Sequence, residues 1–303
     1  MSDSTIPKNI VLSPDVARAR AQGTPIVALE SAVITHGLPY PENIHTAQDM
    51  EAVIREAGVT PATIGILDGI VRIGLDGAEL ERLAIDKNLR KAGPRDLGRM
   101  VMRMESGGTT VAGTLFAAHA AGIRVLATGG IGGVHREPRW DISADLLFLE
   151  KTPMVVVCSG VKAILDVPAT LEHLETCSVP VVGYQTDKFP LFYTRTSRLT
   201  VSARADTPEE VVAIAQEHWA LGMESAVLIA VPPPLEVALP EEDLVEAIRQ
   251  ALEEARKERL RGQQVTPFLL ERVSELTGRE SLRANLGLLR NNANVAAEIA
   301  RAF

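Results

Sequence analysis

The chain has 303 residues, 46% of them hydrophobic and 23% charged, which excludes a disordered polypeptide and suffices for one large or two ordinary domains. Its 31 basic and 39 acidic side chains give a net charge of −8, which argues against a binder of nucleic-acid backbones but leaves room for a small anionic ligand. Two isolated cysteines (Cys158, Cys177), no basic start followed by an apolar block, and no apolar run near the roughly 20 residues of a membrane span predict a soluble cytoplasmic protein.

Short runs rich in Val and Ile alternate with helical patterns along the chain. Residues 25–30 (PIVALE), 62–67 (ATIGIL), 123–128 (IRVLAT), 154–159 (MVVVCS), 180–185 (PVVGYQ), 199–204 (LTVSAR) and 225–231 (SAVLIAV) are predicted strands. Several are apolar at nearly every position, as strands buried on both faces of an α/β sheet are. Residues 44–58 place Ile44, Met50, Val53 and Ile54 on one helical face and stop at Gly58. Residues 207–222 open with a Thr cap, Pro208 and two acids, and 240–262 carry acids early and bases late, as the helix dipole prefers. Residues 266–303 read as two further helices. No repeat or linker divides the chain, and the prolines at 232–234 make only a stiff turn. The expectation is one α/β domain over residues 1–303, a three-layer α/β/α fold with a helical C-terminal extension.

Four segments fall where strands should end, the usual ligand side of such sheets. Glu30 closes the first apolar strand; it is either a general acid with a raised pKa or a carboxylate capping a turn. Gly107, Gly108, Thr109 and Thr110 precede a helical run, offering either free amides for a phosphate or a flexible turn with a Thr cap. The glycines 129, 130, 132 and 133 lack dinucleotide-loop spacing and lead through His135, Arg136 and Arg139 to Asp141, Ser143 and Asp145. That stretch is either a polar pocket with a hard-metal site or a set of helix caps. Lys162 follows a wholly apolar strand, before a helix expected near Ile164. It is either a solvated first-turn residue or a desolvated nucleophile whose charge the positive helix end also opposes. Cys158, among Val155, Val156 and Val157, reads as core.

Together these segments resemble the pseudouridine-5′-phosphate glycosidases, a family also called indigoidine synthase A-like. The matching stretches include VALES (27–31), THGLPYP (35–41), GGTTVAGT (107–114), ATGGIGGVHR (127–136), DISADL (141–146), GVKAILD (160–166), GYQT (183–186), TPFLLERVSELTG (266–278) and LRNNA (289–293). The resemblance implies reversible cleavage of the carbon–carbon glycosidic bond of pseudouridine 5′-phosphate to uracil and ribose 5-phosphate through a lysine imine. It implies Glu30 as proton donor, Lys162 as nucleophile, and Asp141 as ligand to one divalent ion per subunit, usually Mn2+. Lys91, Val111, Ser143, Ala144 and Asp145 are implied as substrate contacts, and a homotrimer as the assembly. Ala32 and Gly113 stand where Thr and Ser are usual in the family, and Asp187 is a third departure; none is a carried-over catalytic position. A lysine-dependent sugar-phosphate aldolase and a catalytically silent sugar-phosphate binder would use the same residues. Uracil release separates the first from the expected activity, and the presence of Glu30, Lys91, Asp141 and Lys162 together weighs against the second.

Overall fold

The computed structural model describes residues 6–136, 140–258, 260 and 265–303. Arg139 and the far end of the helix expected over 240–262 therefore lie outside the described residues. The chain opens with β1 (Ile10–Leu12), α1 (Pro14–Gln22) and β2 (Ile26–Leu29), then a π-helical turn (Val33–Gly37) and α2 (Glu42–Glu56). Next come β3 (Thr60–Leu67), β4 (Ile70–Ile73), α3 (Gly77–Ile85), β5 (Arg90–Ala92), α4 (Pro94–Met102) and β6 (Gly107–Thr109). The middle runs α5 (Val111–Ala120), β7 (Val125–Ala127), α6 (Ala144–Glu150), β8 (Val155–Cys158), α7 (Val167–Thr176) and β9 (Val181–Tyr184). It closes with β10 (Ala203–Ala205), α8 (Pro208–Ala220), β11 (Val227–Ala230), α9 (Glu241–Lys257), α10 (Val265–Leu276) and α11 (Glu280–Ala302).

The strands form one sheet in the order β1-β4-β3-β2-β7-β8-β11-β9-β10, with β5 and β6 attached beside β3. Pairing is parallel except where β3 meets β4 and β6. The residues of β7, β8 and β11 are all buried, as the unbroken apolar runs require of strands covered on both faces. Helices α4, α5, α6 and α7 pack successively on one another. Helix α11 lies across β2, β7 and β8 between α2 and α8, so the end of the chain returns to cover the centre of the sheet. This is the three-layer α/β/α arrangement. Among the described residues no helix is long and apolar enough to cross a membrane.

Three expectations change. The strand expected over 199–204 is reduced to Ala203–Ala205, because the residues before it bond to the loop after β9 instead: Phe189 N–H donates to Leu199 O and Val201 N–H to Asp187 O. The helix expected near Ile164 starts at Val167. Asp166 caps it by accepting from Ala169 N, with Pro168 in the first turn. The Gly107–Thr109 segment is a buried strand rather than a flexible turn. A Cβ at Gly107 would stand 2.3 Å from Arg90 O, so only glycine lets the two backbones approach this closely.

Candidate functional site

Because β7 lies between β2 and β8, residues far apart in the sequence meet just beyond the carboxyl ends of these three strands. Glu30 follows β2, Thr128 follows β7, and Ser159 to Lys162 follow β8. Glu30 is buried, and Thr128 donates its Oγ–H to Glu30 Oε1 at 3.0 Å. Burial raises the Glu30 carboxyl above the ordinary carboxylate range. The positive charge of Lys162 and the Thr128 bond work against that, and the negative charge of Asp145 adds to it. Burial thus shifts the Glu30 carboxyl toward its protonated form, while the neighbouring amines oppose the shift.

Lys91 reaches the same place from β5. Burial, then the charge of Lys162, bring its ammonium down to about 8, against opposing pulls from Glu30 and Asp145. Lys162 is half-buried in the loop after β8, its N–H donating to Ile131 O, five residues before α7 begins. The helix-end argument for its charge therefore does not hold. What Lys162 meets instead is another lysine.

Asp145 is a buried brace. Its Oδ1 accepts from Ala112 N at 2.9 Å and its Oδ2 from Gly132 N at 2.8 Å, tying the start of α5 to the glycine loop. A Cβ at Gly132 would lie 2.2 Å from Ser143 Oγ, so the loop folds onto α6 only with glycine there. Ser143 caps α6, accepting from Asp145 N. The amides of Thr109 and Thr110, expected to be free for an anion, are taken by Ser31 Oγ and Ala92 O. At the start of α5, Gly113 N is held by Thr110 Oγ1. Among the described residues the Val111 N–H and the Ala144 N–H, each the first of its helix, have no hydrogen-bond partner. Gly113 has no room for the Ser that the family resemblance would place there, since a Cβ would stand 2.4 Å from Ala92 O.

Asp141 is half-buried after the glycine loop, where its carbonyl accepts from His135 N, and the charges of Asp141, Lys91 and Lys162 all act on the His135 ring. Among the described residues no group of three or more His, Cys, Asp or Glu is arranged to hold a metal ion. Cys158 lies in the core, and burial drives its thiol up to about 12, which makes it inert.

Glu30, Lys91 and Lys162 line a cavity of about 50 Å³, walled by Val33, Gly129, Gly130 and Phe192 and closed by Thr266 and Leu270 of α10 and Asn285 and Leu289 of α11. That is space for a water or two. An adjoining cavity of about 430 Å³ shares His36, Gly37, Leu270 and Asn285 with it, so α10 forms the partition. A roomier cavity, about 810 Å³, lies at the opposite end of the sheet, where its buried Glu51 is already bonded to Arg55 and Thr63.

Several residues of this site had no role in the sequence reading. Thr128 orients the acid. His36 donates Nε2–H to Leu89 O at 3.1 Å, pinning the approach to β5 and hence Lys91. Asn292 of α11 donates to Thr128 O and accepts from Ser159 Oγ, joining the acid-bearing and lysine-bearing ends of the sheet. Two asparagines within an otherwise apolar helical stripe, Asn285 and Asn292, were the available clue.

The family model described as indigoidine synthase A like protein matches residues 15–302. A pseudouridine-5′-phosphate glycosidase of Geobacillus kaustophilus is 51% identical over 294 residues, spanning 96% of this chain and 98% of that protein. One from Kosmotoga olearia is 50% identical over 279 residues, 92% and 96% of the two chains. Among solved structures, the prealnumycin C-glycosynthase AlnA in complex with ribulose 5-phosphate superposes with a TM-score of 0.89 at 39% identity, covering 98% of this chain and 97% of that one. An indigoidine synthase A-like protein from Thermotoga maritima gives 0.89 at 36% identity, covering 96% and 95%.

Proposed function

The chain belongs to the family of indigoidine synthase A like proteins, and from that premise we propose that it cleaves the carbon–carbon glycosidic bond of pseudouridine 5′-phosphate, reversibly, to uracil and ribose 5-phosphate. The observation that carries the reading is the cluster of Glu30 just after β2, Lys91 within β5 and Lys162 in the loop after β8, all lining one cavity, in a chain half identical to enzymes of that name.

The chemistry needs what this cluster offers. A carbon–carbon bond to uracil presents no glycosidic oxygen or nitrogen to protonate, so the sugar must supply the electron sink. Lys162 Nζ attacks C1′ as the C1′–O4′ bond opens and O4′ takes up a proton. The nitrogen lone pair then forms a C1′ imine while the pair of the C1′–C5 bond passes to uracil C5, which receives the Glu30 proton. Water adds to the imine and releases ribose 5-phosphate and the lysine. For a ligand of nucleotide size to reach these groups, Thr266 and Leu270 must give way.

The phosphate is assigned to Lys91, the free Val111 N–H and the Ser143–Ala144–Asp145 turn. Uracil, measured by its absorbance after separation, is expected from pseudouridine 5′-phosphate and manganese. Unphosphorylated pseudouridine should react at least about 100-fold more slowly, as expected when a charge-assisted anion site goes unused. Equal rates on the two compounds would show that no phosphate site contributes.

Asp141 is the proposed protein ligand of a divalent ion. Its donor chemistry fits manganese or magnesium, hard cations that accept one carboxylate and fill the remaining positions with water. Held by Asp141, such an ion would supply ordered, polarised water. Chelation should lower activity and manganese restore it, and Asp141→Ala should weaken Mn2+ binding measured by calorimetry. Unchanged affinity in that variant would move the ligand elsewhere. A homotrimer is the proposed assembly. Exposed Phe116, Trp140, Ile142 and Leu147, on or beside α5 and α6, supply apolar surface for it. The proposed location is the cytoplasm, consistent with two free thiols.

A further inference from the structure

Lys91 stands on a weakly supported strand of the sheet. β5 is three residues long and among the described residues pairs with β6 alone, Arg90 opposite Gly107, Lys91 opposite Gly108 and Ala92 opposite Thr109. Two of those partners are glycines, which offer no side chain to pack against it. The connection from α3 into β5, residues 85–88, is exposed. A lysine that must meet a ligand group at one point needs a firmer anchor than this.

The π-helical turn that follows Glu30 supplies it. His36 Nε2 bonds Leu89 O at 3.1 Å, two residues before Lys91, and since a carbonyl can only accept, Nε2 carries the proton. Nδ1 is then the acceptor, and the Thr35 hydroxyl donates to it at 2.6 Å, which fixes that tautomer. Burial, then the charge of Lys91, hold the ring below the ordinary imidazole range, against the pull of the Leu89 bond, so it stays neutral at neutral pH. The turn is itself bolted down. Asn43 Nδ2 donates to Ile34 O at 2.9 Å and to Ala84 O at 3.0 Å, and a Cβ at Gly108 would stand 2.3 Å from Thr35 Oγ1, so the turn also lies hard against β6. Ala84 and Leu89, on either side of the exposed connection, are thus both bonded to side chains of the stretch that begins at the acid.

We propose that Thr35 and His36 are positioning residues for Lys91: through Leu89 O they hold its strand where the ammonium meets the 5′-phosphate, and the imidazole takes no part in breaking the glycosidic bond. This rests on the assignment of the phosphate to Lys91 and names the residues that make that assignment work. The test compares uracil release from pseudouridine 5′-phosphate and from unphosphorylated pseudouridine. His36→Leu, which removes the bond to Leu89 O, should raise KM for the phosphorylated substrate by about 10-fold, the upper end of what one hydrogen bond supplies, with kcat within about threefold. The loss on unphosphorylated pseudouridine should be far smaller. His36→Gln, whose Nε2–H can still donate to Leu89 O, should recover most of the loss. Thr35→Val, which keeps the shape and frees the tautomer, should give the same selective effect at about two- to threefold. In a Lys91→Met background, His36→Leu should change KM by less than about twofold, because the group it positions is gone.

The proposal is overturned if His36→Leu weakens both compounds equally, as an imidazole touching the ribose or the base, or a general loosening of the fold, would cause. It is likewise overturned if the His36 and Lys91 effects multiply, or if His36→Gln is no better than leucine. Thr35→Val keeps the histidine in place, so a leucine variant that does not fold leaves the comparison of the two compounds standing. Equal losses on both compounds in Lys91→Met alone would remove the phosphate assignment and this proposal with it, a result read without any change at Thr35 or His36.

Discussion

Lys162→Ala is expected to abolish uracil release, a loss of about 10⁴-fold or more as when other covalent nucleophiles are removed. Borohydride added during turnover should trap ribose 5-phosphate, less one oxygen, on a peptide containing Lys162, and the alanine variant should trap nothing. The structure makes the rival explicit. Lys91 is the amine that burial and its neighbour bring down to about 8, so poise alone would favour Lys91 as nucleophile. Position and the family resemblance favour Lys162, which lies in the loop after β8 and shares the cavity of Glu30. Lys91→Ala should still trap the sugar at saturating substrate, and an adduct mapped to Lys91 would reverse the two assignments. The pH dependence follows with a definite sign. A lysine lowered to about 8 is charged below that pH and neutral above it, so its phosphate contact weakens and KM for pseudouridine 5′-phosphate should rise as pH passes through about 8. That rise should be absent in Lys91→Met, whose KM is high at every pH.

Glu30→Gln should lower kcat by about 100- to 10,000-fold, the usual range for general acid catalysis, while KM changes little. Glutamine preserves the shape and can still accept the Thr128 hydroxyl, so binding should survive. Only the proton for uracil C5 is lost. Trapping of added ribose 5-phosphate requires no such proton and should persist, which separates this variant from Lys162→Ala. The raised carboxyl pKa means that the active acid form is present at low pH and lost as pH rises through that value, so the unmodified enzyme carries a falling limb that the glutamine variant lacks. Near-normal turnover in Glu30→Gln would remove Glu30 from the chemistry.

Much of this was written in the linear chain. Wholly apolar runs such as MVVVCS and SAVLIAV mark strands buried on both faces regardless of their partners, and Thr207-Pro208 or Asp166 with Pro168 mark helix starts through local capping chemistry. Glu30 and Lys162 could be singled out as polar groups ending such runs, and the family motifs attach roles to them. Short strands escaped, because three residues such as Arg90–Ala92 or Gly107–Thr109 carry no periodicity, and their pairing depends on backbone close approach. The protonation of the site was also out of reach. Whether a carboxyl or an amine holds its proton depends on burial and on charges brought near by the sheet order, and Glu30, Lys91, Asp145 and Lys162 become neighbours only when β7 is laid between β2 and β8. The same holds for the asparagines of α11. Sequence places both on one buried stripe, but that Asn292 is satisfied and Asn285 is left open to the cavity is decided by what the folded sheet sets opposite each of them.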